Sequence, residues 1–362
     1  MWISNIKLEN FRNYKDSNVD FNQGINIFIG DNAQGKTNLL ESLYYLANAT
    51  SFKKIRDRDI INFKKDQMKL DGIIRKGNFF KHVIIDTKSS DKTIVVNEVK
   101  YERNKDLKSL FSLVLFTPED LLIIKEGPSL RRDLIDEIIT SINFSYKATK
   151  KEYDKLIFER NKLLKKQRSA FFTEQLEAFD KNLVKDGFKI YKTRLKLIKL
   201  IDEFAREYHL KTSAGTEKLE LTYKPDIKAD SLEDYYRQFK ADRPNDLRYM
   251  TTQRGIHKDD IDISINGKLL RYFGSQGQQR SAILNIKLAQ VRLIREVTGD
   301  RSVILFDDVF SELDEKRSHF LLENLEGYQT IITATNTKSL DMVSKSNIRY
   351  IADGKILDKK IS

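Results

Sequence analysis

Two stretches of the chain carry the apolar run of a buried strand, and each ends in residues of unusual chemistry. Ile25-Asn26-Ile27-Phe28-Ile29 alternates apolar and polar and then turns fully apolar, and Leu39, Leu40, Leu43 and Leu46 follow at helical spacing. That order predicts strand, loop, helix. Val303-Ile304-Leu305-Phe306 is a second apolar run, delivering Asp307 and Asp308 at its end. Between the two, Val184, Phe188, Tyr191, Leu195 and Ile198 recur in steps of 4, 3, 4 and 3, and an upstream seam of Leu130, Leu134, Ile138, Ile142 and Tyr146 steps by four. With the polar stretch Gln167-Arg168-Ser169 as a reversal, the spacing predicts two helices of roughly 25 to 35 residues, about 35 to 50 Å each, in a short antiparallel arm. Pro225 and Pro244 bracket a less regular stretch beyond it, and Ile283, Leu284, Leu288, Val291 and Ile294 mark one more amphipathic helix.

Composition narrows the class. At 362 residues the chain is long enough for two lobes. Its 65 Lys and Arg against 53 Asp and Glu leave a net charge of +12, which points to a polyanionic partner. The excess is uneven: residues 145–211 hold 18 basic against 10 acidic side chains, a net of +8. Lys185, Lys189, Lys192, Lys196 and Lys199 repeat the 4, 3, 4, 3 steps and so stack on one helical stripe. Two readings stay open for the stripe, a solvated face and a surface for nucleic-acid phosphates. Like charges at that spacing weaken a helix, and a phosphate backbone relieves the repulsion. No cysteine is present, which excludes a disulfide framework and thiolate metal sites. Without a long apolar run or the charged-then-apolar order of a signal peptide at Met1-Trp2-Ile3-Ser4-Asn5, the expectation is a soluble, cytoplasmic protein.

The chemistry concentrates at the ends of the two strands. Gly30-Asp31-Asn32-Ala33-Gln34-Gly35-Lys36-Thr37 is a G-x-x-x-x-G-K-T phosphate loop. In that geometry backbone N–H groups and a helix N-terminus converge on phosphate oxygens, Lys36 adds a point charge, and Thr37 offers a hydroxyl to Mg²⁺. Asp307 is placed to share the Mg²⁺ shell and Asp308 to orient an attacking water, although carboxylates also end strands as plain surface turns. ATP and Mg²⁺ are therefore the expected cofactors.

Gly274-Ser275-Gln276-Gly277-Gln278-Gln279-Arg280 precedes the amphipathic helix by one turn and the Asp pair by some 30 residues. It resembles the signature motif of ABC-type ATPases, and Ser311-Glu312-Leu313-Asp314 resembles their D-loop. The resemblance implies that Ser275, Gln276, Gly277 and Gln278 bind the γ-phosphate of ATP held by a second subunit, with Ser311 and Asp314 at the same junction; Ser275 is equally suited to capping its own helix. A narrower likeness covers almost the whole chain. Leu8-Glu9-Asn10-Phe11-Arg12-Asn13-Tyr14, the phosphate loop running on into Asn38-Leu39-Leu40-Glu41, Phe116-Thr117-Pro118-Glu119-Asp120-Leu121, Gly255-Ile256-His257-Lys258-Asp259-Asp260 and Ser275 to Arg280 together resemble the RecF family.

That resemblance implies an α/β fold, an ABC-type, SMC-head-like ATPase core with an inserted α-helical arm lobe, divided at 1–128, 129–245 and 246–362. It implies an ATP-dependent homodimer that binds duplex and gapped DNA, works with RecR and RecO to recruit RecA, and hydrolyses ATP slowly. Arg12 and Asn13 match the segment that approaches the nucleotide in such heads, with a plain solvated loop as the alternative. Ile256 stands where the family has Pro, and Lys258 where it has Arg. Glu119 lies where a Q-loop glutamine is expected, Thr335 and Asn336 where a switch histidine is, and the second acid is Asp308, not Glu. His257 has no second ligand at zinc spacing and reads as structural or as a dimer contact. A transporter ATPase subunit is the main rival, with the charged insertion against it; an SMC-like nuclease partner needs far longer coiled arms.

Overall fold

The computed structural model describes residues 1–88, 91–101, 111–167, 171–336 and 347–358, with the backbone alone for Phe144. It divides into two compact units, Met1–Asp120 with Ile294–Ser362, and Leu121–Leu293.

The first unit begins with β1 (Trp2–Phe11), β2 (Tyr14–Asp20), β3 (Ile25–Ile29) and α1 (Lys36–Asn48), then β4 (Gln67–Lys76), β5 (Phe79–Lys88), β6 (Asp91–Val96), β7 (Val99–Tyr101) and β8 (Leu113–Phe116). An antiparallel sheet of order β2-β1-β4-β5-β6-β7 results. Alternate residues of β4 are buried, as expected for a sheet with one face in a core. The core-facing side of α1 is the seam read from the sequence: Leu39, Leu40, Leu43 and Leu46 are all fully buried. This helix packs against β1 and β4 on one side and β8, β12 and β13 on the other. Gly72 of β4 permits the approach, since a Cβ there would lie 2.5 Å from Leu46 Cδ2.

The second unit runs through α2 (Leu122–Lys125), α3 (Pro128–Ile142), α4 (Phe144–Leu164), α5 (Phe172–Thr212), β9 (Leu219–Lys224), α6 (Leu232–Ala241), α7 (Arg243–Tyr249), β10 (Asp260–Ile265), β11 (Lys268–Leu269), α8 (Leu270–Phe273) and α9 (Gln276–Thr298). The seam expected from Leu130 to Tyr146 is two helices. Asn143 leaves the helical conformation and its side chain accepts from Tyr146 N, capping α4. The arm is unequal, α4 having 21 residues and α5 having 41, about 30 and 60 Å long. They run antiparallel, Tyr146 meeting Arg194 at 3.1 Å and Arg160 meeting Asp180 at 2.7 Å. Gln167 donates to Leu247 O at 2.6 Å; Arg168 and Ser169 of the expected reversal lie outside the described residues. Leu195, expected in the seam, is exposed, because Arg194 takes the inward position.

The lobe is not purely helical. From Tyr191 on, α5 packs on β9, which pairs with β10 from Asp260↔Lys224 to Ile265↔Leu219 in a three-stranded antiparallel sheet. This compact unit therefore closes at Leu293, not near 245, since β10 and α9 complete the core that α3 and α5 begin.

The chain returns as β12 (Val303–Asp307), α10 (Glu315–Asn324), β13 (Thr330–Ala334), β14 (Ile348–Ala352) and β15 (Lys355–Leu357). The second sheet of the first unit has the order β15-β14-β3-β13-β12-β8, parallel apart from β15. Its central strands are buried along their whole length, as parallel strands covered on both faces are. Register brings Asp307 beside Thr333 and Ala334 beside Ile29, so the carboxylate strand and the phosphate-loop strand end together. No described helix is long and apolar enough to cross a membrane.

Candidate nucleotide-binding site

The phosphate loop joins β3 to α1 as the sequence predicts. Its tight turn needs Gly35, whose φ of 118° is left-handed; a Cβ there would lie 2.7 Å from Asn13 Nδ2. Asn13 explains the closeness: its Nδ2 donates to Gln34 O at 3.0 Å, and its Oδ1 accepts from Asn38 Nδ2 at 2.8 Å. Tyr14 OH donates to Gly35 O, and the far end of the chain also braces the loop, Gly354 N and Asp353 N donating to Gln34 O and Oε1. Asp31, Asn32 and Ala33 lie at the exposed crest.

Lys36 and the Asp pair face one another electrostatically. The Lys36 ammonium has no carboxylate within ion-pair distance among the described residues, and folds back onto Gly30 O at 2.6 Å and Asp31 O at 3.5 Å. Burial holds its pKa below the usual lysine value, opposed by the fields of Asp308 and Asp307. Asp307 Oδ1 accepts from Thr37 Oγ1 and Thr333 Oγ1, each at 3.0 Å. Burial nevertheless raises its pKa; the field of Glu119 adds to the rise and that of Lys53 opposes it. Asp308 sits in left-handed backbone at φ 53°, with its N–H on Thr333 O and Oγ1. Its Oδ1 is buried and has no hydrogen-bond partner among the described residues.

A cation tilted toward its neutral form, a carboxylate tilted likewise and an orphaned carboxylate oxygen are a site short of counter-charge. Polyphosphate would supply the anions that Lys36 lacks, and a divalent cation held by Asp307 and the Thr37 hydroxyl would supply the charge that Asp307 lacks. The residues present therefore fit both groups. Among the described residues no three His, Cys, Asp or Glu side chains cluster at metal-binding distance.

Arg12 is at the right edge of the site but committed elsewhere: Nε and Nη2 donate to Glu41 of α1 at 2.9 Å each, and Nη1 to Asp59 O at 2.8 Å. Ser275 caps α9 in a reciprocal box, its Oγ accepting from Gln278 N at 3.2 Å while its N–H donates to Gln278 Oε1 at 2.9 Å. The Gln278 amide also donates to Glu217 at 2.8 Å, and Ser275 and Gln276 are exposed. In the D-loop, Ser311 Oγ donates to Asp308 O at 2.7 Å and Asp314 caps α10. Glu119 is exposed beside β8, and Asn336 is exposed just past β13. Lys185, Lys189, Lys192, Lys196 and Lys199 are all exposed on α5. Thr333 was not singled out in the sequence; its one signal is a hydroxyl following the apolar pair Ile331-Ile332 within β13.

Comparison with known proteins decides the family. The AAA ATPase domain profile matches residues 1–358. A DNA replication and repair protein RecF from Clostridium beijerinckii is 36% identical over 99% of both chains. One from Acetivibrio thermocellus is 37% identical, covering 97% of this chain and 98% of its own. The chain belongs to the RecF family. A solved structure described as the recombination mediator RecF with ATP, in the RecFOR pathway, superposes at a TM-score of 0.91 with 33% identity, covering 100% of this chain and 98% of that one. The Smc head bound to the C-winged helix domain of ScpA superposes at 0.59 with 14% identity over 99% and 96%, a likeness of fold alone. The α/β, SMC-head-like core expected from the sequence is thus shown.

Proposed function

We propose that this chain is an ATP-gated DNA clamp of the recombination-mediator type. Two copies close on two ATP molecules, Lys36 and the loop N–H groups of one copy holding the phosphates while Ser275, Gln276, Gly277 and Gln278 of the other cover the γ-phosphate. Thr37 and Asp307 hold Mg²⁺, which when bound neutralises phosphate charge. Asp308 accepts a hydrogen bond from the attacking water and orients it; its unpartnered buried oxygen is the observation that carries this reading. Asn13 acts from behind the loop, and Arg12 positions α1 through Glu41 at the edge of the seat.

The basic stripe on α5 receives duplex DNA near a gap, and slow, DNA-stimulated hydrolysis resets the dimer. RecR and RecO, and through them RecA, are the partners that family membership supports, in the cytoplasm. Sedimentation of the protein with ATP, ADP or no nucleotide, each with and without short duplex DNA, tests the reading. A dimer with ATP alone, carrying the DNA with it, is expected; a monomer under all six conditions rejects the clamp.

A further inference from the structure

The chain between α1 and β4 is almost without regular structure yet is held firmly on one side. Arg12 N donates to Ile60 O at 2.8 Å, Asn62 N to Asn10 O at 2.9 Å, and Asn62 Nδ2 to Arg12 O at 2.7 Å, while Ile61 bridges to Phe11. Ile60 and Ile61 are buried, Ser51 Oγ donates to the same Glu41 that holds Arg12, and Met68 re-enters the core at the start of β4. With both ends fixed, residues 62–65 close a tight turn, Lys65 N donating to Asn62 O at 2.8 Å. At its apex Phe63 is fully exposed, at 107%. An anchored turn leaves this ring no route into the core, so its place in solvent is a built feature and not a fraying end.

The surroundings are basic. Lys64 and Lys65 follow Phe63 directly, both exposed and without an ion-pair partner among the described residues. Residues 51–66 carry Lys53, Lys54, Arg56, Arg58, Lys64 and Lys65 against Asp57, Asp59 and Asp66. Asp57 is itself occupied by Lys92 at 2.7 Å and Tyr45 OH at 2.8 Å. The ring has Asn62 before it and two lysines and an aspartate after it. Such flanks do not make the broad apolar patch of a protein interface or the apolar face of a membrane-lying helix. A single flat ring beside free ammonium groups matches one flat, apolar, polyanionic ligand, an unpaired nucleobase with its flanking phosphates. Bases within a duplex already have both faces covered.

We propose that the turn at Asn62–Lys65 is a contact for single-stranded nucleic acid, Phe63 stacking on one unpaired base while Lys64 and Lys65 sit on neighbouring phosphates. It shares only the ligand class with the clamp reading. It depends on neither the α5 stripe nor dimerisation, so a clamp that fails the sedimentation test leaves it standing.

The experiment uses the full chain and fluorescent oligothymidylate, oligouridylate and a blunt duplex. Phe63→Ala should weaken binding of the single strands by about 5- to 100-fold and leave duplex binding and the unfolding midpoint unchanged. Replacing Lys64 and Lys65 together with Gln should flatten the slope of log affinity against log salt for single strands by about 1.4. Phe63→Trp should keep the affinity, and its added indole emission should be quenched by the oligonucleotide, whereas the parent emission from Trp2 should not. The sugar that binds more tightly names the natural strand. Undiminished single-strand affinity in Phe63→Ala, or an indole at position 63 whose emission ignores saturating oligonucleotide of both kinds, overturns the proposal.

Discussion

The charged cluster around Asp307 and the one around Arg194 are assembled on opposite terms. In the second unit, Arg194 uses every nitrogen: Nε and Nη2 on Asp136, Nη1 on Asp259 at 2.7 Å and Ile256 O at 2.8 Å, with Tyr146 OH at 3.1 Å from Nε. Asp259 in turn accepts from Tyr223 and from Asp226 N, so both partners are closed to anything from outside. In the first unit, Lys36 rests on backbone carbonyls and Asp308 keeps a buried oxygen with no partner. Charge that is saturated internally holds helices together; charge left short marks where a ligand belongs.

That contrast can be broken by experiment. The largest effect is expected from Arg194→Met, which strands Asp136 and Asp259 and should cost about 3 to 5 kcal/mol in urea unfolding. A loss under about 1 kcal/mol would mean the network is not what ties α3, α4 and α5. Lys36→Met should do the reverse, changing stability by less than about 1 kcal/mol while weakening ATP binding by roughly 1.5 to 3 kcal/mol, read by titration calorimetry.

His257 sharpens the comparison through pH. Tyr153 OH lies 3.0 Å from its Nδ1 and Thr252 O 3.1 Å from its Nε2, and burial lowers its pKa from 6.5 to about 4. The folded protein thus binds this proton less readily than the unfolded chain. The stability it contributes is complete above pH 6.5 and is lost as pH falls toward 4. Between pH 7 and 5 the parent should lose about 2 kcal/mol more than His257→Gln, and parallel pH profiles for the two would remove the assignment. The smallest effect on the fold is expected from Lys189, Lys192 and Lys196 replaced together by Gln: stability within about 0.5 kcal/mol, but a salt slope for duplex DNA flatter by about 2 to 3. An unchanged slope makes the stripe a solvated face.

Legibility in the sequence followed the same division. The phosphate loop and the Asp pair could be read because their spacing is local and each follows an apolar run, and register then brings them together. The helical lobe could be read only by period. Asn143 inside an unbroken apolar seam gave no sign of a break, because a cap is defined by the conformation it adopts. Leu195 yields its expected inward place to Arg194 because a buried arginine needs carboxylates, here Asp136 of α3 and Asp259 just before β10, that are distant in sequence. The partnership of β9 with β10 spans some forty residues, and the pairing of Arg12 with Glu41, a buried acid of α1, joins residues 29 apart. Long-range pairings of this kind leave no periodic trace.

The central claim is that each ATP seat is completed by a second copy, and mixing two defective variants tests it most directly. Lys36→Met lacks the phosphate-holding cation and Ser275→Arg places a bulky cation at the signature turn, so each homodimer has two damaged seats. In the mixed dimer one seat combines both lesions, while the other joins an intact Lys36 to an intact Ser275. ATP hydrolysis by the equimolar mixture should therefore rise well above that of either variant alone. A mixture as inactive as its components would contradict the shared seat.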